Sequence, residues 1–191
     1  VDAHAWKKRG FEIIATDIST EMLEVARAKH PDIEFDRLDA NAIAEYSGKY
    51  DIIFSNFGGL NCLSPSELKD FIANSTAKLN PGGRLILVIM GQRCWWDRWF
   101  MILKGKFSER HRRSKPEGLL VNVQGQQERV MYYRPRYLKE LAHPAYKTEY
   151  LKPVGLFVPP SFLANAFEKR PILFRFLRFL DKSLSLSLIH I

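Results

Sequence analysis

The chain has 191 residues, 46% of them hydrophobic, which is enough for one domain with a sizeable core and too few for two ordinary domains. Its two cysteines lack metal-ligand spacing and exclude a disulfide framework, which favours a reducing, cytoplasmic setting. No apolar run approaches the roughly 20 residues of a membrane span, and we expect no secretory signal. The net charge of +8 arises in the second half, because residues 1–90 hold 10 Lys/Arg against 13 Asp/Glu and residues 91–191 hold 19 against 8. A basic half can bind an anionic partner or be a solvated surface, and we expect the latter.

The first predicted elements alternate between helix and strand. Residues 2–9 predict the end of an amphipathic helix, which Gly10 closes before a β-rich strand over 11–17. A helix capped by Ser19 then extends to about residue 29, and a short strand follows over 33–38.

The same alternation continues to residue 90. A strand over 50–56 is followed by a helix over 64–79, which begins with Ser-Pro at its first positions. The Asn-Pro-Gly-Gly sequence at 80–83 predicts a turn, and the apolar run at 84–90 is typical of a parallel strand covered on both faces. This order predicts an α/β fold, a Rossmann-like doubly wound sheet of mostly parallel strands.

After residue 90 the alternation stops. An aromatic segment, a basic stretch and a hairpin follow at 94–100, 104–115 and 119–134, and we interpret them as an insertion or cap. The remaining predicted elements are a helix over 135–142, a strand over 147–152 and a basic-aromatic helix over 161–181.

Candidate site residues are those just past each strand, because open α/β sheets bind ligands at the carboxyl ends of their strands. Asp17 could accept both hydroxyl hydrogens of a ribose, although NAD-binding proteins use the same device. Asp39 could accept an adenine amino group, or be an ordinary surface aspartate. After the third strand, Asn56, Phe57 and the glycines that follow allow close backbone approach and a pocket, or form merely a turn.

Four segments together carry a family resemblance: Ala15–Arg27, Leu38–Ala40, Tyr50–Asn56 and Leu79–Leu85. In this order and spacing they resemble the class I S-adenosylmethionine-dependent methyltransferases. The resemblance covers about residues 1–90, with a looser similarity to a small-molecule branch, type 11/25-like, that extends through residues 56–62, the Trp-rich insertion and residues 155–160.

The resemblance implies S-adenosylmethionine as cofactor and a set of residues that contact it. Asp17 would bind its ribose, Ile18 and Met22 would pack near the adenine, Asp39 and Ala40 would recognise the adenine edge, and Asn56 and Phe57 would face the methionine end. No metal site and no specific catalytic residue follow from it. As general base, four residues remain open: His111, Tyr132, Tyr133 and His143.

Against the family pattern, the first strand and its glycine-rich loop are expected before residue 1, and the last strand beyond about residue 185. Residues 186–191 resemble a translated sequencing adapter. We therefore expect one methyltransferase domain over 1–185, with a cofactor-binding core at 1–90, an insertion at 91–134 and a C-terminal part at 135–185. The fragment itself is expected to be inactive, and either poorly stable or with strands 11–17 and 50–56 paired directly.

The expected function is methyl transfer to an unidentified small molecule by in-line displacement. An NAD-dependent oxidoreductase of Rossmann type and a non-catalytic nucleotide-binding protein remain alternatives. The aromatic residues 95–100 could form a lid over the acceptor or a helix face packed on the sheet. We expect no nucleic-acid partner for 104–115, and core docking rather than membrane contact for the last helix.

Overall fold

In this computed structural model the described residues are 2–56, 58–123, 126–154, 157–158 and 171–184. They form two compact units. The first unit comprises residues 1–55 and 65–87, and the second comprises residues 56–64 and 88–191. Each unit is described by itself below.

The first unit has the predicted alternation of helices and strands. Its elements are α1 (Asp2–Lys7), β1 (Ile14–Asp17), α2 (Thr20–Lys29), β2 (Glu34–Arg37), β3 (Tyr50–Ser55), α3 (Pro65–Ser75) and β4 (Leu79–Leu87). Two short 3-10 helices, Ala40–Ala42 and Thr76–Lys78, lie in the connections. Gly10 follows α1 with φ +88°, a left-handed conformation that suits glycine and ends the helix as predicted.

The strands of the first unit form two parallel pairs, β1 with β2 and β3 with β4. A helix connects the strands of each pair, which confirms the predicted α/β class with mostly parallel strands. The strand expected over 11–17 does not pair directly with the strand expected over 50–56, because β1 and β3 belong to different pairs. Within the described residues, each of these two strands is hydrogen-bonded to another strand along one edge only.

The fourth strand begins five residues earlier than predicted. The register passes from Tyr50 opposite Leu79 to Ile52 opposite Arg84, so five steps along β4 match two along β3. The Asn-Pro-Gly-Gly sequence therefore bulges out within the strand, and Gly82 has φ +78° there. The predicted turn and the predicted strand are thus two parts of one irregular strand.

The core of the first unit lies under α2 and α3. Ser19 caps α2 by accepting a hydrogen bond from the Met22 N–H at 3.2 Å, as predicted, and Leu23 faces inward at 2% exposure. In α3 the apolar residues spaced three and four apart are buried, and they are Leu68, Phe71 and Ile72. Burial of these side chains holds the helices on the strands.

The second unit contains the predicted insertion and the C-terminal part. Its elements are a 3-10 helix (Gly59–Cys62), α4 (Trp95–Leu103), a kinked 3-10 helix (Phe107–Ser114), the antiparallel hairpin β5 (Leu119–Val123) and β6 (Gln126–Val130), α5 (Pro135–Ala142) and α6 (Pro171–Leu184). The hairpin and α5 are confirmed. The strand predicted over 147–152 is wrong, because that exposed segment has no regular structure, and residues 161–170 lie outside the described part.

Asn61 organises the core of the second unit. Its side chain is fully buried and donates hydrogen bonds to the carbonyls of Met90 and Met131, at 3.1 and 2.5 Å. Its Oδ1 atom accepts from the Met90 N–H at 2.8 Å. Gly58 packs beside it with φ +69°, where an added Cβ would lie 2.8 Å from the Met90 methyl carbon. A side chain at position 58 would therefore clash with Met90.

Candidate functional site

Asp17 lies at the carboxyl end of β1, the edge at which open parallel sheets bind ligands. Its Oδ1 atom accepts a hydrogen bond from the backbone N–H of Ser19 at 2.9 Å, so the turn into α2 holds this exposed carboxylate. Among the described residues this carboxylate accepts no other hydrogen bond, which leaves its second oxygen available to a ligand.

Asp39 follows β2 by two residues and caps the 3-10 helix Ala40–Ala42. Its Oδ1 atom accepts a hydrogen bond from the Asn41 N–H at 2.9 Å, and the residue is half-buried. This local contact again involves one carboxylate oxygen, as at Asp17. Each of the two predicted acids is therefore fixed by its own turn while keeping an acceptor for a ligand.

The two acids lie at the same edge of one sheet. Asp17 is in register with Arg37, and the Leu38 N–H donates to the Asp17 carbonyl at 3.1 Å, so β1 and β2 end level with one another. Neighbouring strands are about 4.8 Å apart. The structure thus places Asp17 at the end of one strand and Asp39 two residues beyond the end of its neighbour.

Apolar side chains adjoin these acids. Ile18 and Met22 are 56% and 48% exposed, and Ala40 is half-buried next to Asp39. We call this set, Asp17, Ile18, Met22, Asp39 and Ala40, the carboxylate rim. It combines acceptors for hydroxyl and amino groups with an apolar surface for a flat ring.

Arg37 also lies at the rim and was not singled out in the sequence. Its Nε donates to the Ile18 carbonyl at 3.3 Å and so connects the end of β2 to the residue after β1. The pairing of Asp17 with Arg37 would have revealed it, but that register is visible only once the two strands are aligned.

Two of the predicted cofactor residues fall outside the first unit. Asn56 belongs to the second unit, where it is half-buried and its carbonyl accepts from the Gly59 N–H at 3.3 Å. Phe57 lies outside the described residues. The five residues predicted to contact the adenosine thus lie within one unit, and the cofactor contacts of all seven residues stay predictions.

In the second unit, α4 presents aromatic side chains to solvent. Trp95 and Trp99 are 63% and 56% exposed, whereas Asp97 and Met101 on the same helix are buried. The helix packs through Asp97 and Met101, so the exposed indoles do not belong to its packed face.

A pocket of about 200 Å³ is lined by Arg93, Cys94, Trp95 and Arg98. Its two guanidinium groups and one indole suit a planar, anionic ligand.

Among the candidate bases, the two tyrosines have structural contacts. Tyr133 is buried and donates its hydroxyl hydrogen to the Leu63 carbonyl at 2.5 Å. Tyr132 lies under the Arg113 guanidinium, 4.9 Å from the ring centre. His111 is exposed at the kink of the 3-10 helix. Tyr133 is thereby occupied in holding the fold.

Part of the basic stretch 104–115 points inward. Asp97, 2% exposed, accepts hydrogen bonds from Arg112 at 2.6 and 3.1 Å, and Arg113 lies 3.2 Å away. Burial tends to raise the pKa of Asp97, but the Arg112 hydrogen bonds and the two positive charges outweigh it and lower the pKa below the usual value. These two arginines neutralise an internal acid and so are not a free surface for nucleic acid.

Comparison with known proteins shows that part of the chain is similar to methyltransferases. Residues 2–83 match the family model of a methyltransferase domain. Over 78 residues the chain is 32% identical to a demethylmenaquinone methyltransferase of Renibacterium salmoninarum, which covers 41% of this chain and 32% of that relative. Over 80 residues it is 32% identical to a malonyl-[acyl-carrier protein] O-methyltransferase of Enterobacter lignolyticus, covering 42% and 31%. The chain thus spans about a third of the length of these relatives.

The fold has a solved counterpart. The PH0226 protein from Pyrococcus horikoshii OT3 aligns with a TM-score of 0.52 at 18% identity, over 74% of this chain and 65% of that one. In the described residues, no helix is long and apolar enough to cross a membrane. Residues 2–83 are therefore similar to methyltransferase domains, and the rest of the chain lies outside that match.

Proposed function

We propose that this chain, with a class I methyltransferase domain in residues 2–83, takes part in S-adenosylmethionine-dependent methyl transfer to a small-molecule acceptor. The observation that carries the proposal is the carboxylate rim. It offers two fixed carboxylates at adjacent strand ends, each with an oxygen to spare, beside exposed apolar side chains.

The rim fits the adenosine part of the cofactor. Asp17 would accept hydrogen bonds from the two ribose hydroxyls, and Asp39 with Ala40 would take the amino edge of the adenine. Ile18 and Met22 would cover the faces of the adenine ring, which explains why two large apolar side chains stay exposed without a ligand. We assign Asn56 and Phe57 to the methionine end on the family resemblance.

In this reaction the main task of the protein is to orient the cofactor and the acceptor. Bound S-adenosylmethionine would supply an electrophilic methyl group to a nucleophile placed in line behind it. The residues of this chain would hold the nucleoside rigidly and exclude water, and such positioning accounts for much of the rate of displacement reactions. A base is needed only where the nucleophile must lose a proton.

We place acceptor recognition outside residues 2–83. Two relatives that match this region carry names with different acceptors, demethylmenaquinone and malonyl-[acyl-carrier protein], so the shared region does not dictate the acceptor. The second unit offers the pocket lined by Arg93, Trp95 and Arg98. An acceptor with a flat body and a negative charge would match that lining.

Calorimetric titration of the full chain with S-adenosylhomocysteine tests the proposal, since this product carries the same adenosine group and does not react. We expect Asp17→Ala and Asp39→Ala each to weaken binding by about tenfold or more, because a hydrogen bond to a charged group contributes roughly 1.5–3 kcal/mol.

Asp70→Ala is the matched control, since Asp70 is an exposed acid on α3 in the same unit. It should leave the affinity unchanged. Titration with NAD separates the oxidoreductase alternative. Binding of NAD without binding of S-adenosylhomocysteine, or equal weakening by Asp70→Ala, would overturn the methyltransferase proposal.

A further inference from the structure

A cluster of metal-binding side chains lies in the first unit, away from the carboxylate rim. His4 is on α1, His30 caps the C-terminus of α2, and Asp32 is in the turn before β2. One ligand atom from each of the three lies within 4.8 Å of the others. Residues far apart in the sequence are thus brought to one point by the packing of α1 against the α2–β2 connection.

The geometry of the two imidazoles is the second observation. Their rings stack with centres 5.2 Å apart and planes 28° from parallel. The Nδ1 atom of His4 is shielded from solvent and has no hydrogen-bond partner among the described residues. A buried polar atom without a partner needs an explanation, and an ion bound at that atom is one of the standard explanations.

A cation already occupies the acidic side of the cluster. The Lys7 ammonium donates to the Asp32 carbonyl and lies 3.3 Å from its Oδ2 atom. The side-chain contact between the Lys7 ammonium and the Asp32 carboxylate is the main cause that lowers the pKa of Asp32. Lys7 and Asp32 are both about half exposed, so the lysine can swing into solvent when a stronger cation arrives.

We propose that His4, His30 and Asp32 bind a divalent transition-metal ion of the zinc type. Two imidazoles and one carboxylate are a donor set that zinc uses, with a fourth position open to water. At ligand distances of about 2.0–2.2 Å, tetrahedral donors lie roughly 3.3–3.6 Å apart. The three donor atoms therefore need to approach one another by about 1 Å when the ion binds.

The role of the ion would be to fix α1. This helix has six residues, none of them buried, and helices of that length are unstable on their own. Its Trp6 ring packs on Phe11 and Phe54 at 4.9 and 5.7 Å. An ion held between His4 and the α2–β2 connection would add to the link that the stacking of His4 on His30 makes, and would take the place of the Lys7 ion pair.

Zinc titration of the full chain against a chromophoric zinc chelator tests the proposal. We expect one ion per chain, and His4→Ala and His30→Ala should each lower the affinity by at least about 100-fold, since loss of an outer-shell partner alone costs roughly 10- to 100-fold. Lys7→Met should raise the affinity by roughly tenfold, because it removes the competing charge from Asp32.

The Lys7→Met variant distinguishes metal binding from misfolding, because a misfolded chain would not gain affinity for zinc. His111→Ala removes an exposed histidine of the second unit and is the matched control. Zinc should also slow hydrogen exchange of the α1 amides in the wild type and not in His30→Ala. Absence of 1:1 zinc binding, unchanged affinity in His4→Ala, or an equal loss in His111→Ala would overturn the proposal, and none of these outcomes bears on S-adenosylhomocysteine binding.

Discussion

The two units of this chain are built by different kinds of contact. In the first unit, each strand and the helix after it are specified by signals a few residues apart, such as Ser19 capping α2 and Gly10 ending α1. In the second unit, the buried polar residues join segments far apart in the sequence. Asn61 reaches Met90 and Met131, which lie 29 and 70 residues later. Local signals specify the elements of the first unit, whereas the second depends on a few long-range hydrogen bonds.

Removing Asn61 should produce the largest change and confine it to the second unit. Asn61→Ala leaves the carbonyl of Met131 and the N–H of Met90 without their partner in a buried position. Each unpaired buried group costs roughly 1–3 kcal/mol, so we expect a loss of about 2–6 kcal/mol in the stability of that unit. Hydrogen exchange should accelerate at the amides of Met90 and Met131.

The control is an asparagine of the first unit. Asn80 donates to Asp51 at 2.9 Å in an exposed position, so Asn80→Ala should cost less than about 1 kcal/mol. Equal destabilisation by the two variants, or faster exchange throughout the first unit in Asn61→Ala, would contradict the contrast between the units.

The Asp97 ion pairs should give the second unit a dependence on acid. Because the pKa of Asp97 is lowered in the folded chain, its contribution is complete above the unfolded value of about 3.9 and is lost as the pH falls through the lower folded value. Asp97→Ala should cost about 2–4 kcal/mol at neutral pH, since Arg112 and Arg113 remain partly exposed.

Urea unfolding at neutral pH and near pH 3 measures this effect. The gap in stability between the wild type and Asp97→Ala should shrink as the carboxyl is protonated. Asp70→Ala, which removes an exposed acid on α3, should show no such convergence. A gap that stays constant with pH would mean that Asp97 acts by packing and not by charge.

The same contrast explains what could be predicted from the sequence. The strand ends at Asp17 and Asp39 were found because capping and turn signals fix them locally, and the structure places both at one sheet edge. Asn61 lies in a stretch that carried the family resemblance, yet nothing near it in the sequence indicates its partners. From the sequence, Arg112 is likewise assigned to a basic surface, because nothing in the sequence indicates that Asp97, 15 residues earlier, is its partner.

The bulge in β4 was missed for a related reason. Asn-Pro-Gly-Gly is a turn by local chemistry, and only pairing with β3 shows that the strand resumes on both sides of it. The parallel register is a property of two segments about 30 residues apart. Rules that use only neighbouring residues therefore assign residues to helices and strands well. They fail where the bounds of a strand depend on the strand with which it pairs.

The smallest predicted effect tests the local signals that specify the first unit. Ser19→Ala removes the cap on the Met22 N–H and should cost about 1 kcal/mol in the first unit. The backbone N–H of Ser19 still donates to Asp17, so the carboxylate keeps its position and the affinity for S-adenosylhomocysteine should hold. Thr20→Ala, one residue along and outside the cap, is the control. A drop in affinity matching that of Asp17→Ala would show that the hydroxyl, and not the backbone turn, orders the rim.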